Sequence, residues 1–330
     1  MSNAQPTFSE AFQQGVREEM TRNDDIFVLG TDLFERGGHF AQVKGIGPEF
    51  GAERVRDTPI SEAAMVAAGV GAAMYGLHPI VDLNFIDFAF GAMDEIVNQA
   101  AKTRYMLGRP VPLLIRATSG VALGGAHHQN SLEAWFMHTP GLAVVVPSSA
   151  YDVKGLVKTA LRSSDPVIFL MHKRLSGVRG EVGGPEDLVP FGTARVARPG
   201  NDTTIVTYGG TVAPALKAAD MLAEKGTDVE VLDLRTLWPL DLDSVVAAAR
   251  RHGRIVVADE APLVGSVTAE IAAQVQQAAF DYLDAPVTRV GAVRAPIAAN
   301  PGLIEAALPT PATLVRAVES LFAGDQLTAS

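Results

Sequence analysis

Short, nearly unbroken runs of apolar and β-branched residues alternate along the chain with longer amphipathic or alanine-rich stretches. IFVLG at 26–30, PIVDLNF at 79–85, PLLIRA at 112–117, LAVVVP at 142–147 and PVIFLM at 166–171 read as buried strands. Helical spacing covers 7–22, a segment opening at Ser61, and roughly 89–107, 130–138 and 150–163. Thr7 and Glu10 have the Thr-x-x-Glu spacing of a capping box at the start of the first helix. Residues 181–202, rich in Gly, Pro and charge, carry at most one strand and read as a linker. Beyond them the alternation resumes with TTIVTYG, DVEVLDL and RIVVADE, interleaved with helices at 211–225, 241–251, 266–280 and 311–322. Continuous apolar strands separated by helices predict parallel sheets covered on both faces. The expected fold is α/β in two domains, 1–180 and 203–330.

Composition narrows the class. A chain of 330 residues fits two domains at about 150 residues each. With 27 basic and 37 acidic residues the net charge is −10, and there is no Lys/Arg run, so nucleic-acid binding is disfavoured. Only 19% of residues are charged and the mean hydropathy is +0.18, which suggests surface buried against other subunits. The absence of cysteine removes disulfides, thiol catalysis and thiolate metal sites. The opening MSNAQPTFSEAF lacks a basic-then-apolar signal, and the most apolar stretch, 63–77, is shorter than the roughly 20 residues of a span. The expectation is a soluble cytoplasmic protein with no membrane contact.

Three segments could carry chemistry. In Asp57-Thr58-Pro59-Ile60-Ser61-Glu62, Pro59 keeps Thr58 extended and Ser61 can cap the helix that follows. Glu62 then stands in a first helical turn before an apolar run. It is either a carboxylate placed for the helix dipole or one held in a dry wall, able to trade a proton with a bound heterocycle. The glycines at 69, 71 and 76 allow another backbone to approach closely, which favours an interface. In Gly124-Gly125-Ala126-His127-His128-Gln129-Asn130 two histidines follow a flexible pair, in a loop leaving a strand's carboxyl end. One could act as general acid/base and the other as a substrate contact, or both could lie on a surface loop. A zinc reading is weak, because adjacent histidines do not have metal-ligand spacing. Asn84-Phe85-Ile86-Asp87-Phe88-Ala89-Phe90 ends a strand in aromatics, either as core or as a wall for a planar ring. Gly69-Val70-Gly71 and Tyr208-Gly209-Gly210 fall short of the dinucleotide fingerprint.

Taken in order, RVRDTPISEAAMVAAGVGAAMYGLHPIV, MDEIVNQAAKTRYMLG, the GGAHHQNSLEAWF stretch, VEVLDLRTLWPLD and VVADEAPLVGSVTAEIAAQV resemble the β-subunit of the thiamine-diphosphate-dependent component of 2-oxoacid and acetoin dehydrogenase complexes. The resemblance covers essentially the whole chain. It implies a transketolase-like pyrimidine-binding domain (1–180) followed by a transketolase C-terminal-like domain. It implies that Glu62 contacts the cofactor's aminopyrimidine, with Phe85 and Phe88 beside that ring. It implies that His128, with His127, orients substrate or supplies protons, and that backbone carbonyls of Leu113, Ala160, Leu161, Ser163 and Asp165 match a potassium site of some relatives. The implied activity is that of an oxidoreductase on pyruvate-type 2-oxoacids or acetoin, passing an acyl group from the enamine intermediate to a lipoyl acyltransferase. The magnesium and diphosphate pattern Gly-Asp-Gly…Asn is absent here and belongs in the family to an α-subunit, which implies a heterotetramer of two α- and two β-subunits.

Three positions depart from the family's pattern. The Gly-Glu-Asp common after the first strand is Gly30-Thr31-Asp32, His-Ser-Gln becomes His128-Gln129-Asn130, and a Pro-Tyr-Ala-like segment becomes 295–300. HHQNSLEAWF with MHKRLSGVRGEV is nearest to acetoin-type or pyruvate-type members. The alternatives are the second half of a split transketolase, against which DTPISE speaks, and a non-catalytic structural subunit.

Overall fold

The computed structural model describes residues 5–122 and 124–323. The chain divides into two units. One comprises the residues up to Ser119 together with Trp135–Phe191, and the other Gly120–Ala134 together with the chain from Gly192 onward. The expected linker is thus shared: 181–191 fall in the first unit and 192–202 in the second.

In the first unit α1 (Phe8–Arg22) opens on the capping box, with Glu10 N–H donating to Thr7 Oγ1 and Thr7 N–H to Glu10 Oε2. Then follow β1 (Ile26–Gly30), α2 (Ile46–Phe50), β2 (Val55–Asp57), α3 (Glu62–Met74) and β3 (His78–Phe85). A 3₁₀ stretch, Ile86–Ala92, a π-helical turn, Glu95–Ala100, and α4 (Ala101–Leu107) occupy the predicted helix at 89–107. Next come β4 (Leu114–Ser119), α5 (Glu133–Met137), β5 (Ala143–Val145), α6 (Ala150–Leu161) and β6 (Val167–His172). The strands run β5-β6-β4-β3-β1-β2, all parallel. Every residue of β4 and β6 is buried, as a sheet covered on both faces requires. Phe8, Phe12 and Val16 of α1 pack with Val153 and Val157 of α6 over Phe169. Residues 183–189 lie on α6: Lys154 Nζ donates to the Gly183 carbonyl, Lys158 Nζ to those of Gly184 and Pro185, and Thr159 Oγ1 to that of Val189.

Two local expectations are corrected. Ser61 is the N-cap of α3, but its side chain makes no capping hydrogen bond. Gly69 serves the protein's own sheet, since a Cβ there would lie 2.6 Å from Val81 Cγ2 and 3.0 Å from Leu113 Cδ1. Gly71 and Gly76 have nothing within 4 Å of such a Cβ, so of the three only these leave room for an approach from outside.

The second unit contains β7 (Arg195–Arg198), β8 (Thr203–Thr207), α7 (Val212–Ala223), β9 (Val229–Asp233), β10 (Thr236–Trp238), α8 (Leu242–His252), β11 (Ile255–Pro262), α9 (Val267–Ala279), β12 (Thr288–Ala292), α10 (Pro301–Ala307) and α11 (Pro311–Ser320). Its sheet runs β12-β11-β8-β9-β7, with β7 antiparallel. Alanines of α7 and Leu314, Val315 and Val318 of α11 form its core with alternate residues of β8, β9 and β11.

Candidate active site

Strand order in the first sheet reverses at β1 and β3. From β1 the chain passes to β2 on one side, and from β3 to β4 on the other. Ligands of open α/β sheets bind beyond the carboxyl ends of strands at such a reversal. The residues gathered there follow from that rule. Gly30 ends β1 so close to β3 that a Cβ would lie 2.9 Å from the Asp82 carbonyl. Asp57, ending β2, accepts from the backbone of Leu33 at 2.5 Å and Phe34 at 3.1 Å, which shapes the loop after β1. That loop carries His39 and Phe40 against Phe85, with ring centroids 5.3 and 5.2 Å away. Phe88, in the 3₁₀ stretch, meets Phe85 edge-on at 5.7 Å, and Lys173 Nζ stands 5.3 Å from the Phe85 centroid. Phe85 and Phe88 therefore form an aromatic wall that is half-buried rather than sealed in core.

Beneath the wall lies a buried ion pair. Arg116 of β4 and Asp82 of β3, each 1% exposed, approach to 3.3 Å. Asp82 also accepts from Gln42 Nε2 at 2.7 Å and Asn84 N–H at 2.8 Å, while Arg116 donates to Thr118 Oγ1 at 2.7 Å. Burial pulls the Arg116 pKa below its usual value, and the Asp82 charge opposes that pull. Asn84 has φ 59, a left-handed backbone held by its bond to Asp82, and this turns the chain out of β3 to present Phe85.

Glu62 is the first residue of α3 and is half-buried, where the helix N-terminus favours a negative charge. Among the described residues no protein group bonds its carboxyl. Three side-chain oxygens at the strand ends, Thr58 Oγ1, Asn84 Oδ1 and Ser119 Oγ, are buried without a hydrogen-bond partner. Buried polar atoms are nearly always bonded in a native protein, so three orphans at one sheet edge fit a polar ligand.

His127 and His128 lie in a 3₁₀ turn, Ala126–His128, in the second unit; His127 is exposed and His128 half-buried. Around this segment Val121 N–H donates to Glu260 Oε1 at 2.7 Å, and Gln129 Nε2 donates to the Ala298 carbonyl at 3.0 Å. The second contact joins two of the three positions that depart from the family's pattern. Next to Glu260, Asp259 accepts from the Tyr208 hydroxyl at 3.1 Å, and burial raises its pKa to about 7. Desolvation likewise pushes the Tyr208 hydroxyl well above its ordinary value.

The carbonyls matched to a potassium site lie in the last turn of α6, just after it, and immediately before β4. Those of Leu113 and Ala160 accept backbone bonds from Val167 and Ser163, that of Asp165 accepts from Ser163 Oγ, and that of Leu161 lies 3.3 Å from His78 Nδ1. Each carbonyl keeps a second lone pair. No group of three or more His, Asp or Glu side chains among the described residues is arranged to hold a metal ion.

Sequence reasoning did not find His39, Phe40, Lys173, the Asp82–Arg116 pair or the Asp259–Glu260 pair. A charged residue inside an otherwise apolar strand, as in PIVDLNF and LLIRA, was the available signal for the buried pair. Two acidic residues ending RIVVADE were the signal for the other.

The fold has known counterparts. Residues 4–178 match the family described as transketolase, pyrimidine binding domain, and residues 192–314 match transketolase, C-terminal domain. A solved chain titled split gene transketolase, inactive beta4 tetramer, superposes with a TM-score of 0.81 at 28% identity, covering 96% of this chain and 98% of that one. The protein is therefore a two-domain, transketolase-like α/β protein. It is 44% identical over 319 residues to the pyruvate dehydrogenase E1 component subunit beta of Rhizobium meliloti, which covers 96% of this chain and 69% of that protein. It is 42% identical over 327 residues to the acetoin:2,6-dichlorophenolindophenol oxidoreductase subunit beta of Cupriavidus necator, covering 95% and 96%. It is 41% identical over 288 residues to the 2-oxoisovalerate dehydrogenase subunit beta of Bacillus subtilis, covering 86% and 88%. The chain belongs to the family of dehydrogenase E1 β-subunits.

Proposed function

We propose that the chain is the β-subunit of a thiamine-diphosphate-dependent 2-oxoacid or acetoin dehydrogenase, active with an α-subunit and passing an acyl group to a lipoyl acyltransferase in the cytoplasm. The observation that carries this reading is the aromatic wall of Phe85 and Phe88 beside three buried oxygens without protein partners, at the strand reversal of the first sheet. A planar ring with polar edges fits that surface. Bound there, thiamine diphosphate supplies the carbon nucleophile and the electron sink. Glu62 would hold the proton at the aminopyrimidine ring nitrogen, helped by its place at a helix N-terminus. Phe85 and Phe88 would orient the ring and exclude water from it. His128 would hold or move a proton at the substrate oxygen, with His127 as a further substrate contact.

Magnesium is assigned to the α-subunit, whose Gly-Asp-Gly…Asn pattern this chain lacks. Potassium is assigned to the carbonyls of Leu113, Ala160, Leu161, Ser163 and Asp165. An α-subunit in a heterotetramer accounts for the apolar surface of the first unit: Ile60 is 78% exposed, Tyr75 90% and Tyr105 94%, and Ala63, Ala64, Ala67 and Ala68 are exposed on α3. The relatives' names divide among pyruvate, 2-oxoisovalerate and acetoin, so the substrate is read as a short 2-oxoacid or hydroxyketone.

The test is co-expression with the α-subunit, then thiamine-diphosphate-dependent reduction of an artificial acceptor with pyruvate, 2-oxoisovalerate, acetoin or a sugar phosphate. Glu62→Ala should lower turnover by roughly 10²–10⁴-fold, the range of general acid–base contributions. Undiminished turnover in Glu62→Ala refutes the assignment, and preference for the sugar phosphate moves the chain to transketolase chemistry.

A further inference from the structure

The second sheet has its own reversal of strand order. From β8 the chain passes through α7 to β9 on one side, and from β11 through α9 to β12 on the other. The carboxyl ends of β8 and β11 therefore border the crevice at which an open α/β sheet takes a ligand. Tyr208, Asp259 and Glu260 stand at those ends, and what is bonded there is the chain's own segment 120–134. Val121 N–H donates to Glu260 Oε1 at 2.7 Å, and Glu260 is 8% exposed. Val121 also packs with Ala292 and Leu308, backed by Ile297 and Ile304. Gln129, 3% exposed, donates to the Ala298 carbonyl at 3.0 Å. Gly120 N–H meets the Asn130 carbonyl at 3.3 Å and closes the neck of the segment.

A hydrogen bond from a main-chain amide to a buried carboxylate is about twice as strong as a neutral one. Asp259 keeps its proton up to a pH of about 7, which spares the crevice a second negative charge beside Glu260. The two side-chain anchors fall on either side of the Ala126–His128 turn: Gln129 adjoins its end, and Val121 stands five positions before its start. We propose that this crevice is a socket for the chain's own histidine-bearing segment, with Glu260 and Gln129 as positioning residues that set where His127 and His128 stand. The inference rests on the reading of that segment as substrate-contacting.

Side-chain length and acceptor oxygen separate the variants. Glu260→Gln keeps both; Glu260→Asp keeps the carboxylate but loses the reach; Glu260→Ala loses everything. In the holoenzyme with the α-subunit, the Asp and Ala variants should raise the KM for the ketone roughly tenfold or more, with thiamine diphosphate affinity unchanged. Glu260→Gln, which keeps the reach and an acceptor oxygen but loses the charge, should fall between wild type and those two variants. Hydrogen–deuterium exchange on the full chain reads the segment without any activity. Peptides spanning 120–134 should exchange fastest in the Asp and Ala variants and at an intermediate rate in Gln, while β8 and β11 stay protected. Unchanged exchange of 120–134 in Glu260→Ala overturns the socket. Faster exchange with an unchanged KM overturns the positioning role. A wild-type holoenzyme inactive on every ketone, with the exchange response intact, supports the socket and defeats the functional reading instead. If Glu260→Ala and Glu260→Asp unfold, Gln129→Leu carries the test: exchange across 120–134 that stays at the wild-type rate overturns the proposal.

Discussion

Replacing Asp82 by Ala should be among the most damaging single changes outside the site's own side chains. Arg116 would remain fully buried with its charge uncompensated, keeping Thr118 Oγ1 and Met171 Sδ as its partners among the described residues. Gln42 Nε2 and the Asn84 amide would lose their acceptor at the same time. Removing one member of a buried ion pair costs about 3–5 kcal/mol. Each orphaned donor adds about 1–3 kcal/mol when taken alone, but all three share one carboxylate, so the losses do not simply add. The expected loss is about 4 kcal/mol, and it falls on the first unit. Trp135 lies in that unit and Trp238 in the other, so a Trp238→Phe background lets fluorescence in urea follow the first unit alone. Arg116→Met combined with Asp82→Leu removes both charges. That double variant should recover about half of the loss, because the uncompensated charge is gone while Gln42 Nε2 and the Asn84 amide still lack their acceptor. A loss below about 1 kcal/mol for Asp82→Ala, or a double variant no better than the single, refutes the reasoning.

Two further outcomes follow from the packing and the titration. Asp259 titrates at about 7 in the folded chain, against an ordinary value of 3.8. The native state thus binds this proton more tightly than the unfolded one, and stability contributed by the protonated form is lost as pH rises from about 4 to 7. Asp259→Asn should gain on wild type across that window, to at most about 4 kcal/mol above pH 7, in denaturant midpoints measured at stepped pH; a difference independent of pH would contradict the assignment. Gly69→Ala gains about 1 kcal/mol of helix propensity but drives a Cβ to 2.6 Å from Val81. The expected net loss is about 1–3 kcal/mol by thermal unfolding, and a stabilised variant would show that α3 can lift from the sheet.

Periodicity was enough where burial was uniform. β1 occupies the residues of IFVLG, and the Thr7–Glu10 capping box forms in both directions. Reading failed where elements are short or their partners distant. α2, β2, β10, β12 and α10 have seven residues or fewer, too few for a period to show, and the π-helical turn at 95–100 has no pattern of its own. Gly69 looked free for an outside partner because sequence gives no hint of which neighbour approaches a glycine. Glu62 could be picked out as a carboxylate ahead of an apolar run, and Phe85 and Phe88 as aromatics clustered where a strand ends. The anchors of the histidine segment could not, since Glu260 and Ala298 lie more than a hundred residues from what they hold.

That separation matters during synthesis. Val121 and Glu260 are 139 positions apart, and Gln129 and Ala298 are 169 apart. At about 5–20 residues per second, roughly 10–30 s pass between emergence of the histidine segment and the arrival of its last anchor. Every strand of the first sheet is already made by then. A chain cut short before residue 298 can pair those strands yet leave His127 and His128 without one of the contacts that fix their turn. Because Ala298 follows the last strand of the second sheet, the histidine turn receives its final contact only after both sheets have been synthesised.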